Sequence, residues 1–221
     1  MTKPVILLIG GATGTGKSTV ATEVAHRLGI NRVTSTDVVR QTLRAFFAEE
    51  YMPSIHRSSF DAGAGESMVD GFLDQTTNVL IAIEASIERA LQEGWSMVLE
   101  GVHLVPGMLS GPRDDAIVVH CVLSIEDETA HAAHFWIRDA TSQGLRPVEK
   151  YLERLDDIRR LQEFIVGRAR ETDIPVIENT NVDDTVGTVI EQKRIVDLPL
   201  NAREPTQLLL LVGNATFHGA V

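Results

Sequence analysis

Eight consecutive residues, Gly11 to Ser18, constrain the fold of this chain more than any other feature. Their sequence, GATGTGKS, matches the pattern G-x-x-x-x-G-K-[ST] and lies between the apolar run Val5 to Ile9 and an amphipathic segment that ends at Gly29. Glycines let successive backbone N–H groups turn toward one anion, and the N-terminus of the following helix adds a partial positive charge. Pattern and context together predict a phosphate-binding loop (P-loop) between a buried strand and a helix.

Within this loop, the pattern predicts that Lys17 reaches the β- and γ-phosphates of a nucleotide and that Ser18 holds Mg²⁺. The expected nucleotide contacts are Gly11, Thr13, Gly14, Thr15, Gly16, Lys17, Ser18 and Thr19. A late predicted strand is followed by Glu178-Asn179-Thr180-Asn181 rather than by the Asn-Lys-x-Asp sequence typical of guanine binding. We therefore expect ATP and Mg²⁺ as cofactors. The alternative is a glycine-rich turn with a surface lysine.

Composition predicts a soluble globular protein and argues against several classes of partner. The 221 residues carry 31 acidic and 20 basic side chains, and the resulting net charge of −11 opposes binding to nucleic acid. Cys121 is the only cysteine, which fits a reducing cytoplasm. No apolar run approaches the roughly 18 residues of a membrane helix. We expect a cytoplasmic protein with a small anionic substrate and no nucleic-acid or membrane partner; a homodimer stays open.

Strand and helix patterns alternate along most of the chain. Apolar or β-branched runs predict strands at 5–9, 31–34, 97–100, 116–123 and 174–177, with helical periodicity between them. This order predicts a three-layer α/β fold with a central parallel five-stranded sheet. Thr36 or Asp37 is expected to cap the second helix, and Asp183 or Asp184 the last one. The segment 51–65 is predicted to be a loop.

Two carboxylates follow predicted strands at the edge of the sheet where the P-loop lies, since ligands bind at the carboxyl ends of parallel strands. Asp37 could accept a proton from a substrate hydroxyl or help to hold Mg²⁺, and a helix-capping role is compatible with both. Glu100 is expected to hold Mg²⁺ or its water shell beside the substrate; a bond to the P-loop backbone is the alternative. Arg40, one turn after Asp37, could bind an anionic substrate or be solvated.

Arginines cluster after the fourth predicted strand, where small-molecule kinases place a lid. Phosphoryl transfer needs cations that arrive on closure, so we expect Arg138 and Arg146 to be catalytic together with Lys17 and Asp37. A helix face with Arg–Glu pairs is the alternative. We therefore expect a P-loop kinase domain over residues 1–194, with a helical lid near 127–170 and an appended strand or tail over 195–221.

Three histidines are weaker candidates. His103 follows Glu100 closely and would lie near the cleft, but a lone histidine is more often structural. His131 and His134 are three residues apart on a predicted helix and could share a metal ion. Two ligands without a nearby third favour a structural interpretation for this pair as well.

Several segments together resemble the 2-phosphoglycerate kinase family of P-loop kinases, over about residues 4–192. They are residues 10–19, 35–40, 55–62, 99–107, 151–152 and 158–162. The resemblance implies ATP-dependent phosphorylation of 2-phosphoglycerate at its 3-hydroxyl, giving 2,3-bisphosphoglycerate. It also implies that Arg40, His56, Arg57 and Ser58 hold the anionic substrate. Arg57 is favoured because a carboxylate and a phosphate call for a forked donor.

The resemblance leaves two other functions open. One is a kinase for another small hydroxylated metabolite, and the other is a non-catalytic ATP-binding regulator whose tail binds a partner. Larger archaeal members carry an extra N-terminal segment, which this sequence is expected to lack together with any regulation through it. The apolar run at 208–212 also lies outside the resemblance.

Overall fold

Five parallel strands form one sheet at the centre of the molecule. The computed structural model describes residues 3–61, 67–109, 114–142 and 148–192. The strands are β1 (Val5–Gly11), β2 (Val33–Ser35), β3 (Met97–Glu100), β4 (Ile117–Ser124) and β5 (Val176–Glu178). Their order in the sheet is β2-β3-β1-β4-β5, and every pairing is parallel. The predicted central five-stranded parallel sheet is confirmed.

Helices cover both faces of this sheet. They are α1 (Lys17–Leu28), α2 (Thr36–Phe46), α3 (Pro53–His56), α4 (Met68–Gln92), α5 (Glu128–Ser142), α6 (Val148–Leu152), α7 (Leu155–Glu171) and α8 (Val182–Ile190). None of the helices in the described ranges is long and apolar enough to cross a membrane. The predicted tail at 195–221 lies outside the described residues.

The central strand β1 shows why the sheet is covered on both sides. All seven of its residues are buried. Leu7 and Ile9 pack with the apolar faces of α1 and α8, whereas Ile6 and Leu8 pack with α4 on the opposite side. Because successive side chains of a strand point to opposite faces, a continuous apolar run is stable only between two helical layers. The P-loop therefore emerges from the most buried strand of the molecule.

The N-cap of α2 is Ser35, so the predicted cap at Thr36 or Asp37 is wrong. Ser35 has extended backbone angles, and its Oγ accepts a hydrogen bond from the N–H of Asp37 at 3.2 Å. The Thr36 hydroxyl is bonded to His103 instead. Capping by Ser35 leaves the carboxylate of Asp37 outside the helix-capping bonds.

The N-cap of α8 is Asn181, so the predicted cap at Asp183 or Asp184 is also wrong. Asn181 Oδ1 accepts from the N–H groups of Asp183 and Asp184 at 2.8 and 3.3 Å. The two aspartates lie in the first turn of α8, where their charge favours the N-terminus of the helix without capping it.

Two connections are more structured than the sequence pattern predicts. The predicted loop at 51–65 contains the short helix α3, which begins at Pro53 and buries Ile55 completely. The helical periodicity of the sequence from Tyr151 to Ile165 predicts one helix, but the structure divides this segment between α6 and α7. At this break Arg154 is not helical, and its Nη2 donates to the carbonyl of Phe60 at 2.9 Å. Both features depend on contacts between distant segments.

Candidate active site

The P-loop joins β1 to α1 at the carboxyl edge of the sheet. Gly11, Gly14 and Gly16 have positive φ angles of 137°, 88° and 80°, which L-residues with a side chain rarely adopt. A Cβ atom at Gly14 would lie 2.5 Å from the ring of Phe135, and one at Gly16 would collide with Asn179. Glycine is therefore required here both by the backbone and by the side chains packed against the loop.

Lys17 begins α1 and is buried within the loop. Its Nζ donates to the carbonyl of Ala12 at 2.5 Å and lies 3.5 Å from Thr15 Oγ1. Burial lowers the pKa of Lys17, and Arg138 contributes in the same direction. The carboxylates of Glu100 and Asp37 act against this lowering. Lys17 thus interacts electrostatically with two carboxylates and one arginine from the surrounding elements.

Ser18 and Glu100 meet across the gap between α1 and β3. Ser18 Oγ donates to Glu100 Oε1 at 3.0 Å, and Glu100 is buried at the end of its strand. A hydroxyl and a carboxylate in contact, beside a loop built for phosphates, are the oxygen donors that Mg²⁺ takes in nucleotide sites. These two residues therefore fit the ion, which would take its remaining ligands from water and phosphate oxygens.

Asp37 is the exposed carboxylate of the site. Its side chain is 64% accessible, and its Oδ1 lies 3.5 Å from Arg40 Nη2. Asp37 also interacts electrostatically with Lys17 of the P-loop. The structure thus leaves Asp37 accessible to a second substrate, while Glu100 is buried against Ser18.

Arg40 and His56 hold backbone carbonyls in the loop that follows α2. Arg40 Nη1 donates to the carbonyls of Ile55 and Arg57, the first at 3.3 Å and the second at 2.5 Å. His56 Nε2 donates to the carbonyl of Phe47 at 2.8 Å. Both side chains therefore hold the backbone near Arg57 and Ser58, the candidate substrate-binding residues, in addition to any contact they make with a substrate.

Arg57 and Ser58 follow α3 directly. Both are half-buried, and the N–H of Ser58 donates to Asp61 Oδ2 at 3.3 Å. Because α3 packs against both α2 and α4, Arg57 and Ser58 lie beside α2, the helix that contains Asp37. The candidate substrate residues thus belong to one region, on the side of the P-loop where β2 and β3 lie.

A buried chain of hydrogen bonds connects that loop to the end of β3. Thr36 Oγ1 lies 2.8 Å from His103 Nδ1, and His103 Nε2 lies 2.9 Å from Gln75 Oε1. Gln75 Nε2 donates to the carbonyls of Ser54 and Arg57 at 2.6 and 3.0 Å. No sequence signal pointed to Gln75, because a single glutamine on a helix is usually solvated.

The hydrogen positions in this chain follow from the chemistry of its ends. Gln75 uses its amide nitrogen on two carbonyls, so its oxygen must accept and His103 Nε2 must donate. His103 Nδ1 is then the acceptor for the Thr36 hydroxyl. Burial lowers the pKa of His103 to about 4, so the ring is neutral near pH 7. His103 therefore organises the site and carries no charge in it.

The lid region contributes α5, which lies against the P-loop. His131 Nε2 is 2.8 Å from the carbonyl of Thr13, and His134 Nδ1 is 2.9 Å from the carbonyl of Gly14. Arg138, on the same helix, stands 5.0 Å from the centre of the Tyr151 ring. Arg146, the other expected lid arginine, lies outside the described residues.

The two histidines do not form part of a metal cluster. Across the described ranges, no group of three or more His, Cys, Asp or Glu side chains is placed to hold a metal ion.

The last strand adds a further P-loop contact, because Asn179 Nδ2 donates to the carbonyl of Thr15 at 2.9 Å. Motif spacing could not find these contacts, since more than 100 residues separate the partners.

Comparison with known proteins finds homologues. No protein-family model matches the sequence. The chain is 40% identical over 196 residues to a 2-phosphoglycerate kinase of Methanopyrus kandleri, covering 85% of this chain and 60% of that protein. It is 42% identical over 191 residues to a 2-phosphoglycerate kinase of Thermococcus kodakarensis, covering 83% and 64%. Over most of its length, the chain is therefore homologous to proteins named 2-phosphoglycerate kinase.

The chain spans less than two thirds of the length of those curated relatives. A solved gluconokinase from Sinorhizobium meliloti 1021 matches it with a TM-score of 0.50, at 15% identity and over 89% of this chain and 94% of that one. At that identity the likeness shows the fold alone, which is the α/β fold of P-loop kinases.

Proposed function

We propose that this chain is an ATP-dependent kinase that phosphorylates 2-phosphoglycerate at its 3-hydroxyl to give 2,3-bisphosphoglycerate. The observation that carries the proposal is the contact between Ser18 and Glu100 beside a P-loop that buries Lys17. The names of the curated relatives support the choice of 2-phosphoglycerate as acceptor. A cytoplasmic location, where ATP is available, stays a prediction.

The P-loop binds and orients the phosphates. Backbone N–H groups of the P-loop bind the phosphates, and Lys17 contributes its positive charge between the β- and γ-phosphates. Mg²⁺ bound at Ser18 and Glu100 would neutralise charge on these phosphates. Because Lys17 is buried and bonded to Ala12, it is already oriented before a nucleotide arrives. This preorganisation is the main electrostatic contribution of the chain.

Asp37 and Arg138 have different roles in the proposed transfer. Asp37 accepts the proton of the acceptor hydroxyl as its oxygen bonds to the γ-phosphorus, while the bond from that phosphorus to the bridging oxygen breaks and ADP leaves. Arg138 stabilises the charge spread over the phosphoryl oxygens. A carboxylate exposed to the cleft can reach a substrate hydroxyl, whereas the buried Glu100 cannot.

The loop at 55–58 provides the proposed site for the anionic acceptor. Arg57 is the preferred donor, because a guanidinium can form paired bonds to a carboxylate or a phosphate. Arg40 and Gln75 bind the Arg57 carbonyl and so fix the backbone from which that side chain extends. His56 and Ser58 flank it. A small anionic substrate is thus the proposed partner of this surface.

The test measures ADP release by the purified chain with Mg-ATP and 2-phosphoglycerate, 3-phosphoglycerate, glycerate or no acceptor. We expect turnover with 2-phosphoglycerate alone. Lys17→Ala should abolish it, and Asp37→Asn should lower kcat by about 100-fold or more. Arg57→Ala should raise KM for 2-phosphoglycerate by about tenfold or more and leave KM for ATP unchanged.

The matched control is Arg89→Ala, which removes an arginine whose side chain is 63% exposed on α4, in an ion pair with Glu93. It should keep wild-type kinetics, since exposed ion pairs contribute little. Turnover with a different acceptor would show a kinase of another specificity. ATP binding without turnover on any acceptor would favour a regulator. Asp37→Asn at the wild-type rate would remove Asp37 as the base.

A further inference from the structure

Four consecutive carbonyl groups of the P-loop are bound by side chains. The carbonyl of Ala12 accepts from Thr15 Oγ1 at 3.0 Å as well as from Lys17. Those of Thr13 and Gly14 are bound by the two histidines of α5, and that of Thr15 by Asn179. The N–H and C=O groups flanking one trans peptide bond point in opposite directions. Holding the carbonyls of Thr13 and Thr15 toward α5 and Asn179 therefore directs the N–H groups of Gly14 and Gly16 to the other side, where a phosphate would bind. The N–H of Thr15 donates to the carbonyl of Ala12 at 3.5 Å instead.

The histidine contacts have defined chemistry. A carbonyl oxygen only accepts, so His131 must carry its proton on Nε2 and His134 must carry its proton on Nδ1. The other nitrogen of His131 has no hydrogen-bond partner among the described residues. The single hydrogen bond of this fully buried ring is thus the one to the P-loop.

An aromatic stack supports the same helix face. The ring of His131 stacks on Phe135 with centroids 5.5 Å apart, and Phe135 stacks on Tyr151 of α6 at 5.0 Å. Phe135 is also the residue against which Gly14 packs. The P-loop, α5 and α6 therefore form one continuous contact, and it depends on the missing side chain at Gly14.

Arg138 belongs to this face as well. Residues at positions i, i+3 and i+7 of a helix lie along one side, so His131 and His134 share a side with Arg138. The guanidinium of Arg138 stands over the Tyr151 ring and acts on the charge of Lys17. His131 and His134 thus lie where α5 contacts the P-loop, and Arg138 lies one turn further along the same helix.

We propose that His131 and His134 are positioning residues that hold α5 on the P-loop and thereby set the position of Arg138, which lies on the same side of α5 over the Tyr151 ring. The proposal rests on the proposed function, because it takes ATP as the ligand of the P-loop. The histidines contact neither nucleotide nor acceptor in this assignment. They act through two carbonyl groups and through Arg138.

The test compares two double variants for Mg-ATP affinity by titration calorimetry and for amide hydrogen exchange of residues 12–18 without nucleotide. H131L/H134L removes both donors, and we expect affinity about tenfold weaker or more and faster exchange in the loop. H131Q/H134N keeps an N–H donor close to each original nitrogen. We expect it to retain affinity within about threefold of the wild type.

The control is His26→Leu, which removes a histidine at an exposed position in the last turn of α1. It should bind Mg-ATP like the wild type. A cycle with Arg138→Ala tests the route of action, since its effect on Mg-ATP affinity should shrink in the H131L/H134L background. Additive effects would show that the histidines do not act through Arg138.

These readouts separate failure of this proposal from failure of the proposed function. If the wild-type chain binds Mg-ATP but shows no turnover, the kinase assignment is contradicted. The comparison of Mg-ATP affinities between the variants still tests the positioning role. If the wild type binds no Mg-ATP, hydrogen exchange in the loop still distinguishes the variants. Wild-type affinity and exchange in H131L/H134L, or equal losses in H131Q/H134N, would overturn the positioning role.

Discussion

At the scale of single residues, Gly101 shows how closely the end of β3 packs against α2. Its φ angle is 151°, and a Cβ atom there would overlap the Thr36 hydroxyl that bonds His103. Its N–H donates to the carbonyl of Ile9 in β1 at 3.1 Å. The residue directly after Glu100 must therefore lack a side chain if the carboxylate and the buried histidine are both to keep their positions.

Gly101→Ala should lower the free energy of unfolding by about 2 kcal/mol or more, because both the backbone angle and the space are unfavourable. The matched control is Gly187→Ala in α8, where a Cβ atom would meet nothing within 4 Å. It should raise the free energy of unfolding by about 0.5 to 1 kcal/mol, as alanine favours helices. Urea unfolding curves measure both. Equal effects of the two substitutions would contradict the packing described at Gly101.

The sequence could identify the residues of the site that belong to a motif or end a strand. Lys17, Ser18 and Glu100 come together as such patterns predict, whereas Gln75 and Asn179 carry no pattern of their own. Asn179 contacts Thr15 across 164 positions of the chain. Such contacts arise only when the sheet brings distant loops to one edge, so one-dimensional spacing does not contain them.

At the scale of elements, the sheet was predictable because buried strands of a parallel sheet have continuous apolar sequences. The helix ends were harder. Several residues near α8 can serve as caps, and the geometry of the preceding turn selects Asn181 over Asp183 and Asp184. The break between α6 and α7 has a similar origin, since it depends on the bond from Arg154 to Phe60. Local propensity decides such cases only where tertiary contacts are weak.

Asn181→Ala should lower the free energy of unfolding by about 1 kcal/mol, because it removes the acceptor for two N–H groups at the start of α8. Asp184→Ala is the control, and it should cost only a few tenths of that amount through the helix dipole. Chemical denaturation of both variants at the same ionic strength provides the comparison. A larger cost for Asp184→Ala would restore the cap that the sequence predicts.

At the scale of the whole molecule, two buried histidines connect acidity to stability. Burial lowers the pKa of His103 and of His120 to about 4, from an ordinary value of 6.5. Between these values the unfolded chain binds protons that the folded chain excludes. Stability is therefore greatest above pH 6.5 and falls as the pH drops toward 4. His103 follows β3 and His120 belongs to β4, so protonation of either ring disturbs the layer packing that positions the site.

The size of this effect follows from the two pKa values. At pH 5, a histidine with a pKa of about 4 when folded and 6.5 when unfolded contributes about 2 kcal/mol of the loss of stability. His103→Gln should therefore show a shallower decline between pH 7 and pH 5 than the wild type, whatever its stability at pH 7. His26→Gln, at an exposed position on α1, should keep the wild-type profile. Urea unfolding at several pH values measures the slopes, and parallel profiles for His103→Gln and the wild type would show that this buried ring does not couple folding to pH.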